Sequence, residues 1–238
     1  MMPFKQWLKT DEVVKMREVN SIGRNMTVDF FRDPIRSIDY NPEIFLAFAD
    51  GVVLYAMKDV EPDYFLEIKG KDFTLPTMLC DDKYSEKSVV VGIFMTSYDV
   101  HVNRVPCNAI YLEDRKTNFI FTHCISMLIV EHDLMHLFDF EKKDLEYMVA
   151  NERKVSVFYS PLIKGIFYLV QIGDKDIDVI QNWGVGNFKT QGDRFGAIRW
   201  GSQVDLVIPM RKEYKYELLV KKMDHVEAGI DPVVRITK

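Results

Sequence analysis

The sequence predicts an α+β protein that is mainly β, an antiparallel β-rich domain preceded by a helical segment, and three observations carry the prediction. Runs rich in Val, Ile, Phe and Tyr recur along the chain with Gly, Pro, Asn and Asp between them, the pattern of strands and turns. Helical spacing of apolar residues is clearest near the start. A length of 238 residues with 47% hydrophobic side chains suits one domain, or one domain with a helical extension.

Residues 4–20 can be written as a helix, with Phe4, Trp7, Leu8, Val13, Val14 and Met16 on one face and Lys5, Lys9, Lys15 and Arg17 elsewhere. Such a segment packs on its own domain or on a partner subunit, or lies in a membrane interface. Phe30-Phe31-Arg32-Asp33-Pro34 closes it, giving a helical segment over 1–40 and a β-rich domain over 41–238. Strands are then expected at 44–53, 64–68, 89–95, 102–112, 119–121, 155–159, 165–172, 177–180, 195–200 and 204–208. A helical piece fits Thr74 to Leu79, and the charged stretch Met210 to Lys222 has no clear state. No internal repeat or low-complexity segment is visible.

The net charge of -5, with Lys and Arg interspersed among Asp and Glu, argues against general nucleic-acid binding, which needs clustered cations to release counterions. Cys80, Cys107 and Cys124 are odd in number and lack CxxC spacing, so no disulfide framework or zinc site is expected and the compartment reads as reducing. Lys5, Lys9, Asp11 and Glu12 interrupt any signal-peptide core. The longest apolar stretch, Phe119 to Val130, contains His123 and is too short to span a bilayer. A soluble cytoplasmic or peripheral protein is expected.

Two patterns imitate chemical motifs. His132-Asp133-Leu134-Met135-His136 spaces two imidazoles for one helix face, yet Asp133 stands where a zinc protease needs Glu, and no third ligand is evident, so no metal is expected. Gly184-Val185-Gly186-Asn187-Phe188-Lys189 lacks the remaining residues of a phosphate-cradling loop and reads as a connection between strands. Cys107 and Cys124 read as small buried hydrophobes rather than activated thiols.

The chain is organised around Arg194-Phe195-Gly196-Ala197-Ile198-Arg199-Trp200-Gly201-Ser202-Gln203-Val204-Asp205-Leu206. Alone, a Gly-Ser pair between strand-like runs is a turn. Ala47-Phe48-Ala49-Asp50-Gly51-Val52-Val53 and Phe94-Met95-Thr96-Ser97-Tyr98-Asp99-Val100-His101-Val102-Asn103-Arg104-Val105-Pro106 precede it, and with Phe-Phe-Arg-Asp-Pro and Asn151-Glu152-Arg153 the set resembles the phosphatidylserine decarboxylase family, most of all its short archaeal-type branch. The resemblance runs from about residue 28 to 209 and leaves both ends unread.

Loss of carbon dioxide from an amino acid leaves a carbanion that ordinary side chains do not stabilise, so an electron sink is required, and no lysine is marked by motif for pyridoxal phosphate. The resemblance implies a self-derived pyruvoyl group. Ser202 would attack the Gly201 carbonyl, the resulting ester would eliminate, and the Gly201-Ser202 bond would be lost, leaving fragments 1–201 and 202–238 associated. Glycine admits a nucleophile to its carbonyl, and serine needs a base. The resemblance assigns Asp50 to self-cleavage and His101 to protonating the substrate carbanion, and Asp99 and Arg104 are candidates for substrate contact or support. Arg104 stands where the best-studied branch has a second histidine, which leaves the base for self-cleavage unassigned.

The implied reaction converts phosphatidylserine to phosphatidylethanolamine through a Schiff base, at the cytoplasmic face of a membrane. The same chemistry on a soluble amino acid and a non-cleaving scaffold remain open, as does a homodimer. The lipid reading expects residues 1–27 to present an exposed apolar face; the soluble reading expects that face buried and the pocket closed.

Overall fold

The computed structural model describes residues 1–18, 31–68, 71–116, 125–138, 142–174, 179–199 and 203–238. Strands β1 (Met2–Pro3), β2 (Ile44–Leu46), β3 (Gly51–Val60), β4 (Leu66–Ile68), β5 (Lys71–Phe73) and β6 (Ser88–Phe94) come first, with helices α1 (Phe4–Trp7), α2 (Asp11–Glu18) and α3 (Leu75–Leu79). Next are β7 (Val102–Arg104), β8 (Ala109–Lys116), α4 (Leu128–Met135), α5 (Tyr147–Ala150), β9 (Arg153–Ser160) and β10 (Gly165–Ile172). The chain ends with β11 (Ile180–Asn182), β12 (Phe188–Lys189), β13 (Arg194–Ile198), β14 (Gln203–Pro209), β15 (Lys215–Leu218), β16 (Asp224–Val226) and β17 (Pro232–Thr237).

Among the described residues, nine strands form one sheet in the order β1-β16-β3-β6-β14-β10-β9-β8-β12, every pairing antiparallel. Its central strands read as unbroken apolar runs because both faces are covered. Along β6, Val89, Val91 and Ile93 enter one core while Val90 and Phe94 enter the other. The first core is closed by two small sheets, β15-β17-β2 and β11-β13-β7, through Phe45, Val234 and Ile236 and through Ile180, Phe195 and Ile198. The second is closed by the helices and the β4-β5 hairpin, through Phe4, Trp7, Leu75, Met78, Val130, Leu134 and Tyr147. Mainly antiparallel β with a few helices is what the sequence predicts; the second layer over each face supplies the two-sided burial.

The start of the chain departs from a single helix over 4–20. Thr10 donates its hydroxyl to the Trp7 carbonyl at 2.9 Å and its carbonyl receives the Val14 amide at 3.0 Å, so α1 stops and α2 begins at this residue. Residues 19 and 20 lie outside the described residues. Phe4, Trp7, Leu8, Val13 and Met16 are buried, which corrects the lipid-reading expectation of an exposed apolar face over residues 4–18; Val14 alone of that face is exposed, at 39%. β1 pairs with β16, so the first residues extend the main sheet.

Expected strands break where the backbone finds partners outside a ladder. The run 44–53 divides at Ala47 to Asp50, where the Ala47 amide donates to the Asp231 carbonyl and the Ala47 carbonyl accepts from Gly229, both at 2.7 Å. The run 102–112 divides after Arg104, where the Val105 amide donates to the Asp193 carbonyl at 2.8 Å. α3 starts as the sequence predicts, with the Thr74 hydroxyl accepting the Thr77 amide at 3.3 Å. β15 lies in the stretch Met210 to Lys222 that the sequence leaves without a clear state, and β16 and β17 lie beyond it, where no strand is expected. The expected strand 119–121, part of that at 177–180, and Cys124 lie outside the described residues.

Candidate active site

The site begins with a backbone constraint. Gly51 opens β3 at φ +146, and a Cβ there would sit 2.1 Å from the Phe94 carbonyl oxygen. This close approach carries β3 across the end of β6: Val52 pairs with Phe94 on one side of β6, and Gln203 of β14 pairs with Phe94 on the other. The Ala-Asp-Gly corner, the end of β6 and the residue after Ser202 thus stand abreast on three adjacent strands. Gly51→Ala should cost more than about 3 kcal/mol, since both the φ and the contact resist any side chain. Urea denaturation checks this, and a cost below 1 kcal/mol would show that the corner relaxes.

Gly201 and Ser202 lie outside the described residues, as does Trp200. The chain on either side of them is placed. The Ile198 amide donates to the His101 carbonyl at 3.1 Å and Arg199 donates to the Val179 carbonyl at 2.7 Å, while Gln203 is held between Phe94 and Ile172.

His101 follows β6 on the turn 96–101 and is 1% exposed. Its Nδ1 lies 2.9 Å from the Asp99 carbonyl oxygen, which only accepts; Nδ1 therefore carries the proton and Nε2 of the neutral ring the lone pair. Burial pushes its pKa down to about 4, against the pull of Asp99 and with the help of the Arg32 charge. At neutral pH the ring is a base.

Asp99 is a hub. Its Oδ2 accepts the Thr96 amide and hydroxyl, both at 2.7 Å, and its Oδ1 lies 2.7 Å from His225 Nε2. Burial alone would raise its pKa, but the His225 ring and the Thr96 donors hold it below the ordinary carboxylate value. Asp50 is 4% exposed and is gripped at both oxygens by Arg36 at 2.6 Å, with the Ala228 amide on Oδ1 at 2.8 Å. Burial leaves its pKa above the ordinary value despite Arg36. The described partner of Asp50 is thus an arginine, not an imidazole.

Arg104 donates to the Gly192 carbonyl at 2.9 Å and to Asp33 Oδ1 at 3.2 Å. It ties the Phe-Phe-Arg-Asp-Pro segment to the loop before β13. Arg32 of that segment donates to the Tyr98 carbonyl at 2.8 Å, beside Asp99. Asn151 bonds the Ile125 and Gly173 carbonyls and Arg153 the Val149 carbonyl, which are packing contacts. His132 on α4 and His136 just after it are exposed, their rings tilted by 34° with centroids 4.3 Å apart, and burial pushes the Cys107 thiol up to about 12.

Trp7, Arg32, Arg36, Asp50, Asp99 and His225 line one cleft of about 420 Å³. A larger one, about 860 Å³ between Tyr84, Tyr159, Tyr168 and Arg211, contains none of the motif residues. Arg36 and His225 escape the sequence reading because neither sits in a motif.

On the second core's side of β14, Gln203 Nε2 donates to Tyr55 Oη and Asp205 Oδ1, both at 2.7 Å; Tyr55 donates to the same Oδ1 at 2.6 Å, and Tyr147 donates to Gln203 Oε1. A Cβ at Gly92 would meet the Tyr55 ring at 2.4 Å. Burial pushes Asp205 up to about 7. Because this folded pKa exceeds the unfolded value of about 4, the carboxyl's contribution is full below pH 4 and is lost as pH rises through about 7. Asp205→Asn should therefore gain stability relative to the parent between pH 4 and 7, by up to about 4 kcal/mol, and gain no more above pH 8. Urea titrations at each pH check this; a constant difference would show that Asp205 titrates alike in both states.

A family model described as phosphatidylserine decarboxylase matches residues 24–233. The match extends past the stretch of resemblance into β15, β16 and the start of β17. The phosphatidylserine decarboxylase proenzyme of Chlorobium limicola is 30% identical over 209 residues, covering 88% of this chain and 78% of its own. The putative archaetidylserine decarboxylase proenzyme of Methanopyrus kandleri is 28% identical over 214 residues, covering 88% and 81%. That of Methanothermobacter thermautotrophicus is 28% identical over 209 residues, covering 87% and 79%.

Proposed function

The chain belongs to the phosphatidylserine decarboxylase family and is a carboxy-lyase, and on that premise we propose that it cuts itself between Gly201 and Ser202, converts Ser202 to a pyruvoyl group, and converts phosphatidylserine to phosphatidylethanolamine and carbon dioxide. One observation carries the reading: Val52, Phe94 and Gln203 stand abreast, with Gly51 next to Val52, and the strand that ends before Gly201 is bonded to the backbone of His101, a buried neutral imidazole. The described residues on either side of position 202 are held by backbone bonds, Ile198 to the His101 carbonyl and Gln203 between Phe94 and Ile172, and this supports such a group there. A pyruvoyl group supplies the electron sink that decarboxylation requires.

The chain's own groups divide the remaining work. In the precursor, His101 Nε2 takes the proton of the Ser202 hydroxyl, since Nδ1 is committed to the Asp99 carbonyl. In the mature enzyme the same Nε2 returns a proton to the substrate carbon. Asp50, locked by Arg36, holds the corner that carries Gly51 and fixes Ala228. Arg104 and Asp99 position the neighbouring loops. Fragment 202–238 stays bound because β14 lies inside the large sheet between β6 and β10 and β16 lies between β1 and β3.

Cleft-rim apolar groups favour a lipid over a soluble amino acid. Ile35 is 97% exposed and Ile230 38%, and both line the cleft with Trp7. They offer a contact for the acyl region at a membrane surface while the headgroup enters. No helix among the described residues is long and apolar enough to cross a membrane, so attachment through this rim at the cytoplasmic face is the arrangement proposed. Intact mass and a denaturing gel test the cleavage: two fragments divided at Gly201/Ser202 are expected, the smaller lighter by one ammonia than a serine-initiated chain. Release of carbon dioxide from phosphatidylserine vesicles but not from free serine would support the lipid reading. The reverse preference would replace it with the soluble one, and a chain that stays whole and inert would replace both with a scaffold.

A further inference from the structure

His225 is the one histidine besides His101 that is buried among the described residues, and no motif announces it. It lies on β16 and pairs across the sheet with Val52, one residue beyond Gly51. On one face its ring is stacked by Trp7, with centroids 3.9 Å apart and planes 15° from parallel, and Phe4 stacks on Trp7 in turn at 5.4 Å. Two aromatic rings from the first helix therefore press the imidazole into a fixed plane. In that plane Nε2 points at Asp99 Oδ1, 2.7 Å away, and a carboxylate oxygen only accepts, so Nε2 carries a proton.

The other Asp99 oxygen is bound twice by Thr96, so the carboxylate is held from both sides and the turn cannot roll. The carbonyl of this same residue fixes Nδ1 of His101. One residue thus joins the two imidazoles, its side chain to His225 and its main chain to His101. We propose that His225, clamped flat by Trp7, is a positioning residue that sets the ring orientation and tautomer of His101 through Asp99. It touches Asp99 and not the reacting atoms, so its effect belongs in turnover rather than in substrate affinity. The proposal rests on the decarboxylase reading only for its kinetic consequence; the tautomer of His101 is independent of it.

The test compares ring nitrogen-15 spectra and phosphatidylserine decarboxylation kinetics for the full chain and three variants. His225→Leu removes the donor. His101 should then populate the Nε2–H tautomer, with kcat down about tenfold and KM unchanged within about twofold, the cost of a misplaced base. His225→Gln places an amide donor where Nε2 was and should restore the Nδ1–H tautomer and most of kcat. Trp7→Leu keeps an apolar cover but loses the flat stack, and serves if the first variant does not fold by near-ultraviolet dichroism; it should show the same change more weakly. His101 remaining Nδ1–H in folded His225→Leu, or Gln failing to restore what Leu loses, overturns the proposal. An unsubstituted protein without decarboxylase activity would instead refute the decarboxylase reading, and the spectra would still decide the role of His225.

Discussion

Ser202→Ala yields a chain that migrates as one band and releases no carbon dioxide from phosphatidylserine. Alanine has the backbone of serine and lacks only the oxygen, so the strands on either side should form as before: β13 still bonds to His101 through Ile198, and β14 still fills the gap between β6 and β10. What disappears is the atom proposed to attack the Gly201 carbonyl and, with it, the proposed source of the electron sink. Both losses should be complete to the limit of detection, because no other side chain can supply the ketone. Ser202→Cys separates the two requirements, since a thiol can attack the same carbonyl; slow cleavage with little turnover is the expected result. A retained activity in Ser202→Ala would mean that decarboxylation uses a group other than pyruvoyl.

The fold was legible in the sequence to the extent that burial follows local pattern. β6, β9, β10 and β14 announced themselves because a sheet with a core on each face demands apolar residues at consecutive positions, as in Val89 to Phe94. β16 and β17 did not, because Asp224, His225 and Asp231 interrupt the pattern and are buried by specific partners: Asp99 for His225, and the chain's own amino terminus for Asp231. The site divides along the same line. Asp50, Asp99 and His101 occur in short motifs and could be named; Arg36 and His225 reach the cleft only through chain reversals of 14 and 126 residues. Such contacts have no local signature. The role of Arg104 was equally hidden, because its carbonyl and carboxylate partners come from loops distant in sequence.

His101→Gln should lower kcat about 10² to 10³-fold and slow self-cleavage by a similar factor, which follows from removing a positioned acid-base group. Glutamine is close in size and keeps a donor for the Asp99 carbonyl, so the turn and its bond to Ile198 should survive; what it lacks is a nitrogen that accepts and returns a proton. The pH dependence distinguishes this role from a structural one. Because the buried ring titrates at about 4 in the folded protein, it stays neutral throughout the physiological range, and the acid limb of kcat/KM should lie near pH 4 and not near 6.5. The same depression has a stability consequence of definite sign. Between about pH 4 and 6.5 the unfolded chain binds a proton at this ring that the folded chain refuses, so stability is full above 6.5 and declines as pH falls toward 4, by up to about 3 kcal/mol. His101→Gln should remove that decline while leaving the opposite contribution of Asp205 in place, so its unfolding free energy should fall with rising pH over this interval more steeply than the parent's. An acid limb at 6.5 together with an unchanged stability profile in the variant would mean that the ring is solvated in the working enzyme, and the base for both steps would have to be sought among the groups that line the cleft.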